Sequence, residues 1–246
     1  MPEAMLELKG LTKSFGGLRA VTDLSFTVEK GAIVGLIGPN GSGKTTVFNL
    51  VAGFLPPSAG QVLLEGKNLV GLKPYAITRK GVARTFQTVK PFRQLSVMEN
   101  VTLAAFLRFP MRRHAEAEAS RILEKVGLKG KIKLPANDLT LVDQKRLEIA
   151  RALATGPKLL LLDEPMGGLN ATEVDLAAHL INDICADGVT IIWVEHVLRA
   201  IMNTSHRVIV INYGAKVADG TPREVVENPD VIAAYLGKRA KPHAAD

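Results

Sequence analysis

The hydrophobic positions of this chain fall into two kinds of short run. Four runs are nearly all apolar, namely residues 32–37, 158–162, 189–194 and 207–211. Apolar runs of this length are typical of strands covered on both faces, and they predict a mainly parallel sheet with helices on each side. Three other runs mix β-branched, aromatic and polar residues, namely residues 5–9, 24–29 and 61–65. These runs predict antiparallel or edge strands.

Helical patterns separate these runs and dominate the middle of the chain. The spacing predicts helices over 44–54, 173–186 and 222–236. The stretch from about 95 to 155 is helical throughout, and near its end Leu147, Ala150, Leu153 and Ala154 recur at helical spacing.

The predicted fold class is therefore α/β, with two additions to a parallel core. Residues of about 1–90 and 156–236 are expected to form the core together with an antiparallel β subdomain. Residues of about 91–155 are expected to form a helical subdomain inserted into that single domain, and residues 237–246 a tail.

A glycine-rich segment follows the first all-apolar run. It reads Gly38-Pro39-Asn40-Gly41-Ser42-Gly43-Lys44-Thr45 and matches the P-loop pattern G-x-x-x-x-G-K-[ST] in full. The glycines let consecutive backbone N–H groups turn toward phosphate oxygens at a helix N-terminus. In this pattern Lys44 reaches the β- and γ-phosphates, and the Thr45 hydroxyl holds Mg²⁺. The segment, together with Thr46, is predicted to bind ATP.

Two carboxylates, Asp163 and Glu164, follow the second all-apolar run. Because successive residues of a strand face opposite ways, the two side chains are expected to have separate tasks. Asp163 is predicted to hold Mg²⁺, directly or through water. Glu164 is predicted to act as the general base that activates the attacking water.

The composition argues against membrane-spanning and secreted proteins, but it does not identify a binding partner. The chain has 246 residues, 47% of them hydrophobic, which is enough to bury a core. Its apolar runs are too short to span a bilayer and its N-terminus lacks an apolar signal region, so we expect neither a membrane span nor secretion. The single cysteine, Cys185, predicts a cytosolic protein without disulfides. The net charge of +7 suits a nucleotide, a nucleic acid, an anionic membrane surface or no partner at all.

With its P-loop, its LLLLDEP segment and the residues between them, the chain resembles the nucleotide-binding subunits of ABC transporters over roughly residues 5–237. The resemblance implies the ABC ATPase fold and ATP hydrolysis. It also implies that Phe15 stacks on adenine, that Gln87 senses Mg²⁺ and the attacking water, and that His196 contacts the γ-phosphate. The alternatives are a core aromatic at Phe15, a plain surface residue at Gln87 and a histidine at His196 that only caps a strand. Gln87 is expected to end a strand, which argues against a plain surface role.

The resemblance completes the predicted site and extends it to a second subunit. The predicted catalytic residues are Lys44, Gln87, Glu164 and His196, and the predicted metal ligands are Thr45, Gln87 and Asp163. In this family two subunits bind two ATP molecules head to tail, so each site joins one P-loop to the partner's signature sequence. Residues 167–170 (GGLN) resemble the loop that contacts the opposite subunit.

The chain departs from the family at the signature, which is usually L-S-G-G-Q or a close variant. Residues 139–143, here called the signature segment, read Leu139-Thr140-Leu141-Val142-Asp143. Thr140 keeps a hydroxyl, but two large side chains replace small residues whose backbone must approach a nucleotide closely. Asp143 adds a negative charge that repels phosphate unless it points away. Two interpretations stay open: a heterodimer in which the partner's ATP site is weakened, and a subfamily variant that is fully active.

Overall the chain is most similar to ATP-binding subunits of branched-chain amino acid importers. The segments that carry this similarity include residues 81–101, LEIARAL, EPMGGLN and VIAAYLG. One small departure is Val197, where close relatives often have Asp. The residues Phe92, Leu95, Val97, Asn100 and Val101 lie where family members receive the coupling helix of a membrane subunit, and plain helix packing is the alternative for each.

The similarity implies a set of partners and a location. These are a second ABC ATPase subunit, in a heterodimer or a homodimer, two membrane permease subunits and, indirectly, a substrate-binding protein. The location is the cytoplasmic face of the cell membrane, with no nucleic acid expected. Two alternatives remain: a soluble ABC-type ATPase that acts on nucleic acid or ribosomes, and a regulatory half that does not hydrolyse ATP.

Overall fold

A computed structural model describes residues 3–87 and 91–236 of the chain. Within these residues the strands are Ala4–Phe15 (β1), Leu18–Glu29 (β2), Ile33–Ile37 (β3), Ala59–Leu64 (β4), Lys67–Asn68 (β5), Val82–Arg84 (β6), Leu159–Asp163 (β7), Thr190–Val194 (β8), Arg207–Asn212 (β9) and Ala215–Gly220 (β10). The α-helices are Lys44–Val51 (α1), Pro74–Arg79 (α2), Val97–Ala105 (α3), Arg112–Lys125 (α4), Leu141–Ala154 (α5), Ala171–Ala186 (α6), Leu198–Thr204 (α7), Pro222–Glu227 (α8) and Pro229–Leu236 (α9).

The central sheet has six strands in the order β10-β9-β3-β8-β7-β6. Its strands are parallel except β10, which pairs antiparallel with β9. The four all-apolar runs are the strands β3, β7, β8 and β9, as predicted, and every residue of β3, β7 and β8 is buried. The carboxyl ends of the parallel strands meet at one edge of the sheet, which is where ligands bind in open α/β sheets.

The second sheet is antiparallel, with the order β2-β1-β4-β5, as the mixed runs predict. Both β1 and β2 have 12 residues, so they extend well beyond the predicted 5–9 and 24–29. Register shifts interrupt the β1–β2 ladder, and one lies between Leu8 and Leu11. Such irregularities break the alternation of apolar and polar positions, so a sequence pattern ends before the strand does.

The helices α3, α4 and α5 lie inside the stretch predicted to be helical. Buried residues of these helices, such as Val101, Ile122 and Leu147, belong to the same hydrophobic cluster as Leu160 and Trp193 of the central sheet. The helical part is thus packed directly on the sheet. The domain division at about 91 and 155 stays a prediction, and the tail predicted at 237–246 lies outside the described residues.

Several predicted boundaries were wrong. The helix predicted over 222–236 is two helices, because Pro229 lacks an N–H and the preceding Asn228 adopts an extended conformation. The helix α6 begins at Ala171, since Asn170 and Glu173 form a capping box before it.

The predicted helix 44–54 ends at Val51, and Gln87 lies three residues beyond the end of β6 rather than at its last position. In the described part of the chain, no helix is long and apolar enough to cross a membrane.

Candidate functional site

The P-loop lies between β3 and α1, at the carboxyl edge of the central sheet. Its backbone turns at Gly41 and Gly43, whose φ angles of 78° and 105° lie in the left-handed region that favours glycine. Close packing adds a second requirement: a Cβ at Gly38 would lie 2.0 Å from the Ile211 carbonyl oxygen. A Cβ at Gly43 would lie 2.4 Å from the Ala20 carbonyl oxygen. The segment therefore forms a backbone cradle that only glycine permits at these positions.

Lys44 begins α1 and is buried, with 7% of the residue exposed. Its Nζ donates to the carbonyl oxygens of Gly38 at 2.7 Å and Pro39 at 2.9 Å. Burial lowers the pKa of Lys44, while the charges of Glu164 and Asp163 act in the opposite direction. The ammonium group is thus held over the cradle by neutral carbonyl groups, where an anionic ligand would neutralise it.

Asp163 ends β7 and is buried. Its Oδ2 accepts a hydrogen bond of 2.8 Å from the Arg84 guanidinium, and its backbone N–H donates to Thr85 Oγ1 at 3.1 Å. Arg84 also donates to Asn49 Oδ1 at 2.5 Å. The other carboxylate oxygen, Oδ1, is buried and has no hydrogen-bond partner among the described residues. A buried carboxylate oxygen without a partner points to an absent donor or cation.

Glu164 follows Asp163, and its carboxylate is held from two sides. Oε2 accepts a hydrogen bond of 2.9 Å from Gln87 Nε2. Oε1 lies 2.9 Å from His196 Nε2, which donates because an ionised carboxylate only accepts. The structure therefore brings together the three predicted residues Gln87, Glu164 and His196, which come from three different loops.

One open cleft of about 690 Å³ collects most of the predicted site, although Gly38, Pro39 and Asp163 are not part of its lining. It is lined by Phe15, Leu18, Ala20, Asn40, Gly41, Ser42, Gly43, Lys44, Thr45, Thr46, Gln87, Glu164 and His196. Phe15 is 45% exposed at the end of β1, which excludes the alternative of a core aromatic. A second cleft shares Thr45 and Gln87 with the first and also contacts Asp163. The hydroxyl, amide and carboxylate oxygens of these three residues form a donor set that Mg²⁺ prefers.

The signature segment is part of the helical region, and its polar groups bond to one another. Thr140 is the N-cap of α5: its hydroxyl accepts from the Asp143 N–H at 3.3 Å and donates to Asp143 Oδ2 at 2.8 Å. The Asp143 carboxylate also pairs with Lys131, and it lies 3.8 Å from the Arg146 guanidinium. Burial alone would raise the pKa of Asp143, but the hydrogen bonds from Lys131 and Thr140 outweigh it and the net shift is downward. The charge of Asp143 is therefore compensated within the chain.

Three site residues were not predicted from the sequence. Arg84 anchors Asp163, and Lys145 donates to the backbone carbonyl oxygen of Glu164 at 3.0 Å. Glu195 is 5% exposed and accepts from the N–H groups of Met166 at 2.6 Å and His196 at 2.9 Å. Arg84 lies three residues before Gln87 and Glu195 directly before His196, so both adjoin predicted site residues, whereas nothing local distinguishes Lys145.

The segment predicted to receive a coupling helix divides into exposed and buried parts. Val97, Asn100 and Val101 are each 0% exposed, so for them the alternative of helix packing is correct. The Asn100 side chain fixes the preceding loop through hydrogen bonds to both backbone groups of Phe92 and to the Leu95 carbonyl oxygen. Phe92 is 51% exposed, and its ring lies 5.0 Å from the Arg151 guanidinium carbon.

Comparison with known proteins agrees with this geometry. The family model described as "ABC transporter" matches residues 21–167, and the model "Branched-chain amino acid ATP-binding cassette transporter" matches residues 215–241. The high-affinity branched-chain amino acid transport ATP-binding protein BraF of Pseudomonas aeruginosa is 42% identical, over 97% of this chain and 100% of that protein. LivG of Escherichia coli K12, with the same description, is 41% identical over the same shares.

A solved structure of a similar protein supports the same assignment. The crystal structure of a nucleotide-free ATP-binding cassette from an ABC transporter superposes with a TM-score of 0.86 at 30% identity, over 96% of this chain and all of the other. The matched region contains the P-loop, Asp163 and Glu164, whose geometry is that of a nucleotide site. The chain therefore belongs to the ABC transporter family of ATP-hydrolysing, ATP-binding proteins.

Proposed function

We propose that this chain is the ATP-binding subunit of an importer for branched-chain or related amino acids. The similarity to BraF and LivG over nearly the whole chain supports this proposal, as does the C-terminal match at residues 215–241. In it the chain binds and hydrolyses ATP, and separate membrane subunits carry the amino acid. Substrate choice then lies in those other subunits.

The observation that carries the proposed chemistry is the position of Glu164. Its carboxylate is held by Gln87 and His196 in the cleft that Lys44 also lines, with Asp163 next to it in sequence. Glu164 is in this proposal the general base that takes a proton from the attacking water. The amide of Gln87 orients that water, and His196 contacts the γ-phosphate. Lys44 and the backbone N–H groups of the cradle stabilise the phosphate charge.

Thr45, Gln87 and Asp163 would hold Mg²⁺ at this site, and the unpaired Oδ1 of Asp163 fits that task. When bound, Mg²⁺ neutralises charge that develops on the phosphate oxygens. Phe15, at the open side of the cleft, offers an aromatic face for adenine.

In the proposed assembly this chain pairs with a second ATPase subunit of the same fold. The signature segment of this chain would then face the ATP bound by its partner, and residues 167–170 would contact the partner. The partner is in our proposal a different ATPase chain, because Leu141 and Val142 are bulky where close backbone approach is needed. The site on this chain's P-loop would be fully active, and the opposite one weakened.

The membrane subunits would dock beside this site on the inner face of the cell membrane. A groove of about 230 Å³ supports this position, since Phe54, Phe86, Arg84, Glu148 and Arg151 all line it. Phe54 and Phe86 are 49% and 45% exposed, and they form an edge-to-face pair. Arg84 connects the groove to Asp163, so the docking surface and the metal site share a side chain.

The decisive experiment is the substitution Glu164→Gln, because it removes the base and leaves the P-loop intact. Turnover of ATP should fall by about 100-fold or more, whereas ATP binding and ATP-bound dimers should persist. Glu224→Gln is the control, because Glu224 caps α8 away from the cleft. Turnover of Glu164→Gln within a few-fold of the unmodified chain would remove Glu164 from the role of base.

A further inference from the structure

The backbone of Glu164 has an unusual conformation. Its φ angle is 49°, in the left-handed region, which is uncommon for residues other than glycine. Such a conformation is strained and persists only where surrounding groups hold it. The peptide groups around Glu164 must therefore have strong partners.

Lys145 supplies one of these partners from a different part of the fold. Just beyond the end of β7, Glu164 N–H donates to the Val194 carbonyl oxygen at 2.9 Å. The carbonyl oxygen of Glu164 accepts from Lys145 Nζ at 3.0 Å and from Gly167 N–H at 3.3 Å. Lys145 belongs to α5, the helix that begins with the signature segment. Burial lowers the pKa of Lys145, and the negative charges of Glu195, Glu148 and Glu164 only partly offset this shift.

Glu195 holds the same loop from its other end. Its two carboxylate oxygens accept from Met166 N–H and from His196 N–H. The loop that carries Glu164 is thus fixed between a lysine on α5 and a carboxylate after β8. A side chain that depends on a strained backbone moves when either support is lost.

We infer that Lys145 is a positioning residue, which holds the Glu164 backbone in the conformation that aims its carboxylate at the attacking water. Because Lys145 lies two residues after Asp143, it also links the position of the signature segment to the catalytic loop of its own chain. The inference rests on the proposed role of Glu164 as the base.

Lys125 provides a matched control in the same chain. Like Lys145, it projects from a helix of the helical region and donates to a backbone carbonyl oxygen of the α/β core, that of Asp183, at 3.0 Å. It also pairs with the Asp187 carboxylate, and it is remote from the nucleotide cleft. If lysines of this kind only attach the helices to the core, replacing either one should lower kcat by the same factor.

The experiment compares Lys145→Met, Lys145→Arg and Lys125→Met in the full-length chain, assembled with the subunits that copurify with it. Lys145→Met should lower kcat about 10- to 100-fold, with KM for MgATP and the affinity for ATP changed less than about threefold. Lys145→Arg keeps the charge and a donor, and should recover most of the rate. Lys125→Met should leave kcat within about twofold. Equal losses in the two methionine variants would overturn the inference, and so would equal rates in Lys145→Met and the unmodified chain.

A double substitution separates positioning from general stability. If Lys145 acts through Glu164, Lys145→Met should lower the single-turnover rate of Glu164→Gln by less than about threefold. If the double variant instead loses rate by the product of the two single losses, the inference is contradicted, while Glu164 can still be the base. A near-normal rate for Glu164→Gln alone would instead contradict the proposed function. If Lys145→Met does not fold, Lys145→Leu is judged by the same criteria.

Discussion

The P-loop cleft and the signature segment differ in how they treat their polar groups. Around the P-loop, the buried Ser42 Oγ and Asp163 Oδ1 have no hydrogen-bond partner among the described residues. In the signature segment, the Thr140 hydroxyl and the Asp143 carboxylate bond to each other, and Asp143 also pairs with Lys131. The first region has polar atoms available for a ligand, whereas the polar side chains of the second are engaged within the chain.

Among the described residues, the P-loop cleft, and not the signature segment, has unsatisfied polar atoms that phosphate or Mg²⁺ can bind. Buried polar atoms without partners destabilise a fold, and those of Ser42 and Asp163 belong to residues that line clefts where a ligand can satisfy them. A paired carboxylate and a capping hydroxyl stabilise α5 instead, and they would have to break existing bonds to contact a nucleotide. The contrast favours the interpretation of unequal ATP sites over that of a fully active signature variant, and it can be tested from both sides.

The largest expected effect comes from Lys44→Met, which removes the ammonium group from the cradle. Charged hydrogen bonds to phosphate contribute roughly 1.5–3 kcal/mol each, so the affinity for ATP should fall about 10- to 100-fold or more. Isothermal titration with ATP measures this change, and Lys67→Met, at an exposed lysine of β5, is the control. Binding of ATP with unchanged affinity would show that the available groups of the P-loop cleft do not face the nucleotide.

A moderate effect is expected from restoring family-like residues in the signature segment. The combined change Thr140→Ser, Leu141→Gly, Val142→Gly and Asp143→Gln frees the first turn of α5 for close approach to the partner's ATP. Turnover in the purified complex should rise about two- to tenfold, because a weakened site becomes active.

Two control measurements identify which ATP site gains activity and whether the changed chain stays folded. Adding a substitution of the partner's own P-loop lysine should abolish the gain, since the gain belongs to the partner's site. Thermal unfolding checks that the helix survives the loss of the Asp143 contacts. An unchanged rate in a stable variant would favour the fully active signature instead.

The smallest effects distinguish two acids on α5. The pKa of Asp143 is shifted downward, so its ionised form stabilises the fold above the unfolded-state pKa, and Asp143→Asn should cost about 1–3 kcal/mol at pH 8. Burial raises the pKa of Glu148, whose Oε1 accepts from Phe86 N–H at 2.7 Å. Stability is therefore lost as the pH rises from the unfolded-state pKa of Glu148 through its raised pKa in the folded chain, and the full loss is present above the latter.

Glu148→Gln keeps an acceptor for Phe86 N–H and removes this charge. Its melting temperature should exceed that of the unmodified chain at pH 8, and the difference should shrink as the pH falls toward 4.5. Thermal unfolding across this range tests both acids, with Glu124→Gln on the exposed face of α4 as control. If Asp143→Asn were stabilising at pH 8, the signature segment would not be the satisfied network that its hydrogen bonds indicate.

Much of this architecture follows from local pattern. The all-apolar runs identify β3, β7, β8 and β9, and the P-loop pattern identifies a phosphate cradle together with its lysine. Both signals depend on residues close together in the chain, where period and backbone conformation are set by near neighbours. The three-residue strand β6 gives too little pattern to detect, and the break between α8 and α9 required attention to a single proline.

The family, the sheet and the residues nearest the phosphates can be predicted from the sequence, because short motifs and strand periods encode them. Contacts between groups that are distant in the sequence depend instead on how the chain packs. Arg84 and Asp163 are 79 residues apart, and Lys145 and Glu164 are 19 apart, yet each pair forms a hydrogen bond. The sequence left open whether Asp143 would repel phosphate, and the structure answers by pairing it with Lys131, 12 residues earlier. Such contacts depend on how strands and helices pack in space, so no local spacing predicts them.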